Sequence, residues 1–104
     1  MKSIMHDKRD GTCYLCMLLH DDYGRRQTQE HHVFYGTANR KLSEKYGLKV
    51  YLCMEHHTYD GGTEAVHRNH DVDMKLKEMA QTDFETRYPE LSFRAIFGKT
   101  YKPF

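Results

Sequence analysis

Apolar residues recur at helical spacing along the last third of the chain. The stripe consists of Val72, Leu76, Met79, Ala80, Phe84, Tyr88 and Leu91. Because a period of about 3.6 residues places such positions on one face, the pattern predicts a long amphipathic helix packed on a core. We expect Asp71 or Asp73 to cap its start and Pro89 to end it near Tyr88.

The tail that follows this helix carries apolar anchors of its own. Phe93, Ile96 and Phe97 lie at the spacing of one helical turn, and more polar residues follow them. We therefore expect the tail to dock as a short helix and then to continue as an extended end.

Two segments, 28–35 and 50–55, carry the β-branched and aromatic residues that strands favour. Between the first of them and the preceding apolar stretch, the run Asp-Asp-Tyr-Gly at 21–24 is typical of a turn. The pattern predicts that 14–19 and 27–35 pair as a hairpin.

Two further segments have helical composition. Thr37–Tyr46 is compatible with a helix, and the glycine that follows it, Gly47, suits a helix C-terminus. Farther along, Gly61 and Gly62 interrupt the chain before a short segment at 63–69, which we expect to be helical with Thr63 as its cap.

Composition limits the possible classes of protein. The chain has 104 residues, enough for one domain, and a domain this short often needs a metal or a disulfide besides its core. Its net charge of +1 excludes a strongly basic, histone-like binder but not a nucleic-acid enzyme, which needs only local positive charge. Because it has neither a membrane-length apolar run nor a signal peptide, we expect a cytoplasmic protein without a membrane partner.

The cysteines indicate a metal site. Cys13 and Cys16 form a C-x2-C pair, and Cys53 and His56 form a C-x2-H pair. An odd total of three cysteines argues against a disulfide framework, whereas thiolates and imidazoles are the ligands that zinc prefers. The pattern predicts one structural zinc ion held by both pairs. The alternatives are three cysteines buried in the core and a redox-active C-x2-C pair.

Histidines are unusually frequent and clustered. If His56 serves the structural zinc, four histidines near the second pair remain, namely His31, His32, His57 and His67. Adjacent residues of a strand face opposite sides, so His31 and His32 diverge unless the strand ends or bulges there. The spacing predicts a second, open metal site.

Positive charge is concentrated in the first half of the chain. Arg25, Arg26, Arg40, Lys41, Lys45 and Lys49 make this half the candidate phosphate-facing side. The alternative is an ordinary solvated surface.

The motif order resembles that of a zinc-stapled HNH nuclease of the ββα-metal (His-Me finger) group. The resemblance rests on C-x2-C, then Glu-His-His-Val at 30–33, then Leu-Cys-x2-His-His at 52–57, and it covers 13–67. The longer run from Glu30 to His57, with Val-His-Arg-Asn at 66–69 and Phe-Gly-Lys-Thr-Tyr at 97–101, resembles more narrowly the phage RecA-dependent nucleases of the recombination-enhancement (Ref) type.

This resemblance implies an α+β fold, a small zinc-stapled ββα-metal core with a C-terminal helix. We expect a single HNH-like domain over 1–104. It would comprise a polar N-terminal arm (1–12), the zinc knuckles and core (13–70), and the C-terminal helix with its docked tail (71–104).

The resemblance also implies the roles of individual residues. His32 matches the general base, and His31, His57 and His67 match ligands of a catalytic Mg²⁺, Mn²⁺ or Zn²⁺ ion. The family's central asparagine usually lies just before the second knuckle, where this chain has Lys-Val-Tyr-Leu at 49–52. Asn39 is the best candidate for holding the base imidazole, and a backbone carbonyl is the alternative.

The activity implied is hydrolysis of DNA in a bacterial or phage-infected cell, with a RecA filament as partner. Arg40, Lys41 and Arg68 are candidate clamps for flanking phosphates. Three other functions remain open at this point: a non-catalytic zinc-stapled module that binds DNA or protein, another nuclease type such as an RNA, homing or restriction enzyme, and metal storage or sensing.

Overall fold

A computed structural model describes residues 2–57 and 64–102. Their helices and strands follow one another as α1 (Tyr14–His20), β1 (Gln29–His32), α2 (Thr37–Tyr46), β2 (Lys49–Leu52), α3 (Met54–His57), α4 (His70–Arg87) and α5 (Phe93–Phe97). A short 3-10 turn at Lys8–Asp10 precedes them. The expected α+β class is confirmed. No helix of these ranges has the length and apolar character needed to cross a membrane.

β1 and β2 form an antiparallel sheet in which Gln29 lies opposite Leu52, His31 opposite Val50 and His32 opposite Lys49. Because side chains alternate along a strand, this register fixes which side chains share a face. Gln29 and His31 therefore share one face of β1, and the residue between them lies with His32 on the other.

The predicted hairpin between 14–19 and 27–35 is wrong, because Tyr14–His20 is a helix. Leu15, Leu18 and Leu19 have helical spacing; Leu15 is fully buried, and the other two pack against the core. The Sγ atom of Cys13 accepts a hydrogen bond from the Cys16 amide and so caps the helix start. The partner of β1 is thus β2, which arrives from later in the chain.

The helix predicted over Thr37–Tyr46 is confirmed, and it ends in the left-handed Gly47. The long C-terminal helix is also confirmed, with Val72, Leu76 and Phe84 buried. Its cap, however, is Asn69, whose side chain accepts a hydrogen bond from the Val72 amide.

Asp71 and Asp73 are therefore not caps, because both lie inside the first turn of α4. The helix ends at Arg87, two residues before the proline, so Leu91 falls outside it and is 38% exposed. The short helix predicted after the double glycine is a turn in its described part, over 64–68. Gly61, Gly62 and Thr63 lie outside the described residues.

An aromatic core joins the sheet to the C-terminal helices. The ring of Phe34, just after β1, lies 5.3 Å from that of Phe93 and 4.8 Å from that of Phe97. Phe84 of α4 lies 5.4 Å from Phe93. Burying each of these side chains contributes about 1.5–3 kcal/mol. The tail thus docks as the short helix predicted, and α4 and α5 hold the end of β1 in place.

The N-terminal segment, expected to be a polar arm, packs along the outer edge of β2. The Ile4 amide donates to the Gly47 carbonyl at 2.9 Å, and the Ser3 hydroxyl donates to the Lys49 carbonyl. The Tyr51 amide donates to Nδ1 of His6 at 3.1 Å. Because these groups satisfy the outward-facing backbone of β2, the segment covers an otherwise unpaired strand edge.

Gly47 provides a test of this docking. A Cβ at Gly47 would meet the Lys2 carbonyl oxygen at 2.5 Å, and its φ is +72°. We expect Gly47→Ala to lower the free energy of unfolding by more than the roughly 1–2 kcal/mol that a left-handed residue costs. Urea denaturation at fixed zinc concentration measures the change.

The matched control is Gly98→Ala, where φ is +86° and no atom lies within 4 Å of the added Cβ. It should carry the backbone strain without the clash. Equal losses in the two variants would contradict the docking of the N-terminal segment.

Candidate metal centres

Four ligand side chains meet between the start of α1 and α3. Cys13, Cys16, Cys53 and His56 are all buried, and their candidate ligand atoms lie within 4.8 Å of one another. The Sγ atoms of Cys16 and Cys53 are 3.8 Å apart. Nδ1 of His56 lies 3.4 to 3.5 Å from all three Sγ atoms. We call these four residues the Cys3His cluster.

These separations fit one tetrahedral metal ion. Zn–S bonds of about 2.3 Å and Zn–N bonds of about 2.0–2.1 Å give tetrahedral edges of about 3.8 Å between sulfurs and about 3.5 Å between nitrogen and sulfur. A disulfide would instead need about 2.05 Å between two sulfurs, and all three cysteines are free. The Cys3His cluster is therefore compatible with a structural metal site such as zinc.

Local structure explains how two short motifs reach one point. Cys13 precedes α1, and the Cys16 amide donates to its Sγ at 3.4 Å, which turns the C-x2-C segment onto itself. Cys53 directly follows β2, and the His56 amide donates to the Cys53 carbonyl at 3.2 Å. The start of α1 thus positions Cys13 and Cys16, and the end of β2 positions Cys53 and His56.

Neighbouring side chains support the Cys3His cluster from outside. Nη1 of Arg26 donates to Sγ of Cys16 at 3.2 Å. Nε2 of His56 donates to Oε1 of Glu64 at 3.0 Å, which leaves Nδ1 to face the sulfurs. Burial raises the pKa of the Cys13 and Cys16 thiols, so the thiolate forms that bind metal need a cation among them. The donor set and its surroundings suit a divalent ion.

A second cluster, the histidine triad, consists of His31, His57 and His67. The ring of His31 lies 5.2 Å from that of His57 and 5.4 Å from that of His67, and one nitrogen of each residue lies within 4.8 Å of the others. His31 is buried, His57 is half-buried and His67 is exposed. The triad thus has a closed side and a side open to solvent.

Two histidines of the triad differ in how their ring nitrogens are used. Nδ1 of His57 donates to Oε1 of Gln29 at 2.8 Å, which leaves its Nε2 available. Nε2 of His31 is buried and has no hydrogen-bond partner. Burial, with smaller effects of the neighbouring histidines, lowers the pKa of His31 to about 3, so its imidazole is neutral. An unpartnered, neutral, buried nitrogen is what a metal ion would satisfy.

The backbone explains how the triad forms. Gln29 and His31 share a face of β1, so Gln29 reaches His57 from beside His31. His57 directly follows His56 in α3. The Val66 amide donates to the His56 carbonyl at 2.9 Å, which anchors the turn that carries His67.

His32 lies on the opposite face of β1 from His31, as strand alternation predicts. Its Nε2 is 3.0 Å from Oε1 of Glu44, and Nζ of Lys49 is 3.1 and 3.2 Å from the two oxygens of the same carboxylate. Lys49 also pairs with Glu30 at 3.4 Å. Burial alone would lower the pKa of Lys49, but the carboxylates of Glu44 and Glu30 outweigh it and raise that pKa.

An open cleft of about 590 Å³ lies beside His32. Its lining consists of His32, Thr37, Arg40, Lys41 and Glu44. Two of the three candidate phosphate-binding residues thus share a cleft with the candidate base. The third, Arg68, instead follows His67 in its turn.

The role expected of Asn39 is not supported by a hydrogen bond to His32. It lies in the first turn of α2, and none of the hydrogen bonds of the described residues joins it to the His32 imidazole. The structure gives that contact to Glu44, one turn and a half farther along the same helix.

Sequence reasoning missed the residues that surround the ligands. Gln29 has a usable signal, because it precedes His31 by two positions in a predicted strand. Glu44, Glu64 and Arg26 lie 8 to 12 residues from the ligand or base side chains that they contact, a separation that neither a helical nor a strand period covers.

Two other groups of ligand types are less suited to a metal. His20, His56 and Glu64 lie close together, but His56 already faces the three sulfurs through Nδ1. Glu30, His32 and Glu44 also lie close together. There the ammonium of Lys49 already supplies the positive charge that a cation would bring.

Comparisons with protein-family models, with curated proteins and with solved structures find no match to this chain.

We expect Cys53→Ser to lose the structural metal and to unfold the domain. Structural zinc contributes about 10–16 kcal/mol of apparent binding free energy, comparable with the whole stability of about 5–15 kcal/mol of a small domain. Metal analysis and thermal denaturation measure both effects.

The control is Met54→Ala, which changes the adjacent side chain, 64% exposed. It should retain both the metal and the melting temperature. A metal-free Cys53→Ser protein with the melting curve of the parent would contradict a structural role for the Cys3His cluster.

Proposed function

We propose that this protein is a metal-dependent endonuclease that hydrolyses DNA phosphodiester bonds. In this proposal the Cys3His cluster holds structural zinc, and the histidine triad holds a catalytic Mg²⁺, Mn²⁺ or Zn²⁺ ion. The observation that carries the proposal is the buried, unpartnered Nε2 of His31 in a triad with an open side. The next residue in the chain, His32, is the candidate base.

The donor set supports a catalytic rather than a structural second site. Structural zinc sites have four protein ligands, whereas catalytic sites have three and leave a position for water or substrate. The triad has three imidazoles, and neutral imidazoles leave a bound ion its full charge. When bound, such an ion supplies charge neutralisation at the phosphate and at the departing oxygen.

His32 provides the proton acceptor in this proposal. With Nε2 donating to Glu44, Nδ1 is available to take a proton from water. The water oxygen then bonds to phosphorus, and the bond from phosphorus to one sugar oxygen breaks. That oxygen takes a proton from solvent, so the products are a 5′ or 3′ phosphate monoester and an alcohol.

The position of β1 supports joint action of His31 and His32. Among the described residues, β1 pairs with β2 alone, so its other edge is unpaired. A phosphodiester lying along this edge can contact side chains from both faces of the strand. The scissile phosphate can therefore meet the triad on one face and His32 on the other.

The cleft supports an anionic substrate. Arg40 and Lys41 lie in it beside His32 and bring two positive charges to a protein whose net charge is only +1. Cations placed in this way hold the phosphates that flank the scissile bond. Arg68, next to His67, is placed to do the same at the triad.

The choice of DNA and of a RecA filament as partner rests on the resemblance to Ref-type nucleases. The protein would then act in the cytoplasm of a bacterial or phage-infected cell. In this proposal the filament presents the strand to be cut.

The test compares the parent with His32→Ala on supercoiled and single-stranded DNA, with Mg²⁺ or Mn²⁺, and with and without a RecA filament. We expect the parent to cleave and to stop when the divalent ion is chelated. His32→Ala should keep its fold and its structural metal, yet lose on the order of 10²–10⁴ in rate, which is the usual contribution of a general base.

His70→Ala is the matched control, because His70 is an exposed histidine at the start of α4, outside both clusters and the cleft. It should cleave as the parent does. Cleavage by His32→Ala at the parent rate would remove His32 from the mechanism. A folded, metal-loaded parent that cleaves nothing would instead favour a zinc-stapled DNA- or protein-binding module.

A further inference from the structure

We propose that Glu44 is the positioning residue of the nuclease site, and that it holds His32 in the tautomer and orientation a general base requires. This inference rests on the proposed function for its catalytic consequence. The structural part, the Glu44–His32 pair, can be tested whether or not the protein cleaves DNA.

A direct hydrogen bond joins His32 to Glu44. Nε2 of His32 and Oε1 of Glu44 are 3.0 Å apart, within normal hydrogen-bond distance. An ionised carboxylate only accepts hydrogen bonds, so Nε2 must be the protonated nitrogen of the ring. The lone pair on Nδ1 is then available, and the ring cannot turn over without losing its partner.

The Glu44 carboxylate is itself held in place. Lys49 lies opposite His32 in the strand register and contacts both oxygens of Glu44, at 3.1 and 3.2 Å. Its side chain is only 8% exposed, and it also pairs with Glu30 at 3.4 Å. The buried ammonium of Lys49 thus lies between two carboxylates, and its contacts with both Glu44 oxygens limit the rotamers of Glu44.

The connection between α2 and β2 makes this arrangement rigid. Only Gly47 and Leu48 separate the end of α2 from Lys49. The Leu48 amide donates to the Ser43 carbonyl at 2.8 Å, and the Ser43 hydroxyl donates to the Phe34 carbonyl at 2.8 Å. Glu44, next to Ser43, is therefore fixed relative to the end of β1, where His32 lies.

The Glu44–His32 pair lies in the candidate substrate cleft. His32 and Glu44 both line the cleft that holds Arg40 and Lys41. When His32 takes a proton from water, the imidazolium that forms lies beside the Glu44 carboxylate, which stabilises its charge. A carboxylate behind a histidine base provides both orientation and this stabilisation.

The first experiment reads the tautomer of His32 directly. Two-bond ¹H–¹⁵N spectra of the zinc-loaded full chain distinguish a protonated from an unprotonated ring nitrogen, and the His32→Ala spectrum assigns the signals. We expect the parent to show Nε2 protonated and Nδ1 unprotonated. In Glu44→Ala the ¹⁵N shifts of the two His32 ring nitrogens should move toward the intermediate values of an imidazole that exchanges between its two tautomers. The control is Glu78→Ala, which changes a glutamate of α4 outside the cleft and should leave these shifts unchanged.

The second experiment separates kcat from KM in the cleavage assay. We expect Glu44→Ala to lower kcat on the order of 10- to 100-fold, as loss of a supporting carboxylate does elsewhere, with little change in KM. Glu44→Gln retains an acceptor oxygen and should recover part of kcat, whereas Glu78→Ala should match the parent. Metal analysis confirms that each variant is folded.

Unchanged His32 shifts in Glu44→Ala, or shifts that respond to Asn39→Ala instead, would overturn the proposal. So would a kcat of Glu44→Ala equal to that of Glu78→Ala. If the parent does not cleave DNA, the proposed function fails, and the tautomer measurement still decides whether Glu44 positions His32.

Discussion

The Cys3His cluster is the constraint on which the rest of the structure depends. The sheet has only two short strands among the described residues, and a two-stranded sheet is marginal on its own in water. The cluster ties the start of α1 to the turn after β2, two regions separated by most of the first half of the chain. A metal ion bound there would add its binding free energy to folding, which a chain of 104 residues needs.

The same constraint positions the candidate active site. In α3, His56 belongs to the Cys3His cluster and His57 to the histidine triad. Because the two residues are consecutive in one short helix, binding of His56 in the cluster also holds the backbone of His57 in place. β1 repeats this arrangement, because His31 faces the triad while His32 faces Glu44 and the cleft. Two pairs of consecutive histidines, one in a helical turn and one in a strand, thus supply three different environments.

The sequence predicts well what depends on local patterns. α2, α4 and α5 follow from helical spacing together with Gly47 and Pro89, and the Cys3His ligands follow from two short motifs. The hairpin failed because the leucine spacing of α1 and its Cys13 cap outweighed a turn signal. The contacts of Glu44 with His32 and of Glu64 with His56 join residues 12 and 8 positions apart in the sequence, so neither a helical nor a strand period predicts them. Asn69 rather than an aspartate caps α4 because the helix begins two residues earlier than its apolar stripe.

The most direct test of the two-centre arrangement is a crystal structure of the protein grown with zinc, with anomalous differences measured at the zinc edge. The account predicts two peaks in each chain. One should lie among Cys13, Cys16, Cys53 and His56, and the other among His31, His57 and His67. A single peak at the Cys3His cluster, with the three imidazoles hydrogen-bonded to protein or water instead, would contradict the second metal centre and the nuclease mechanism built on it.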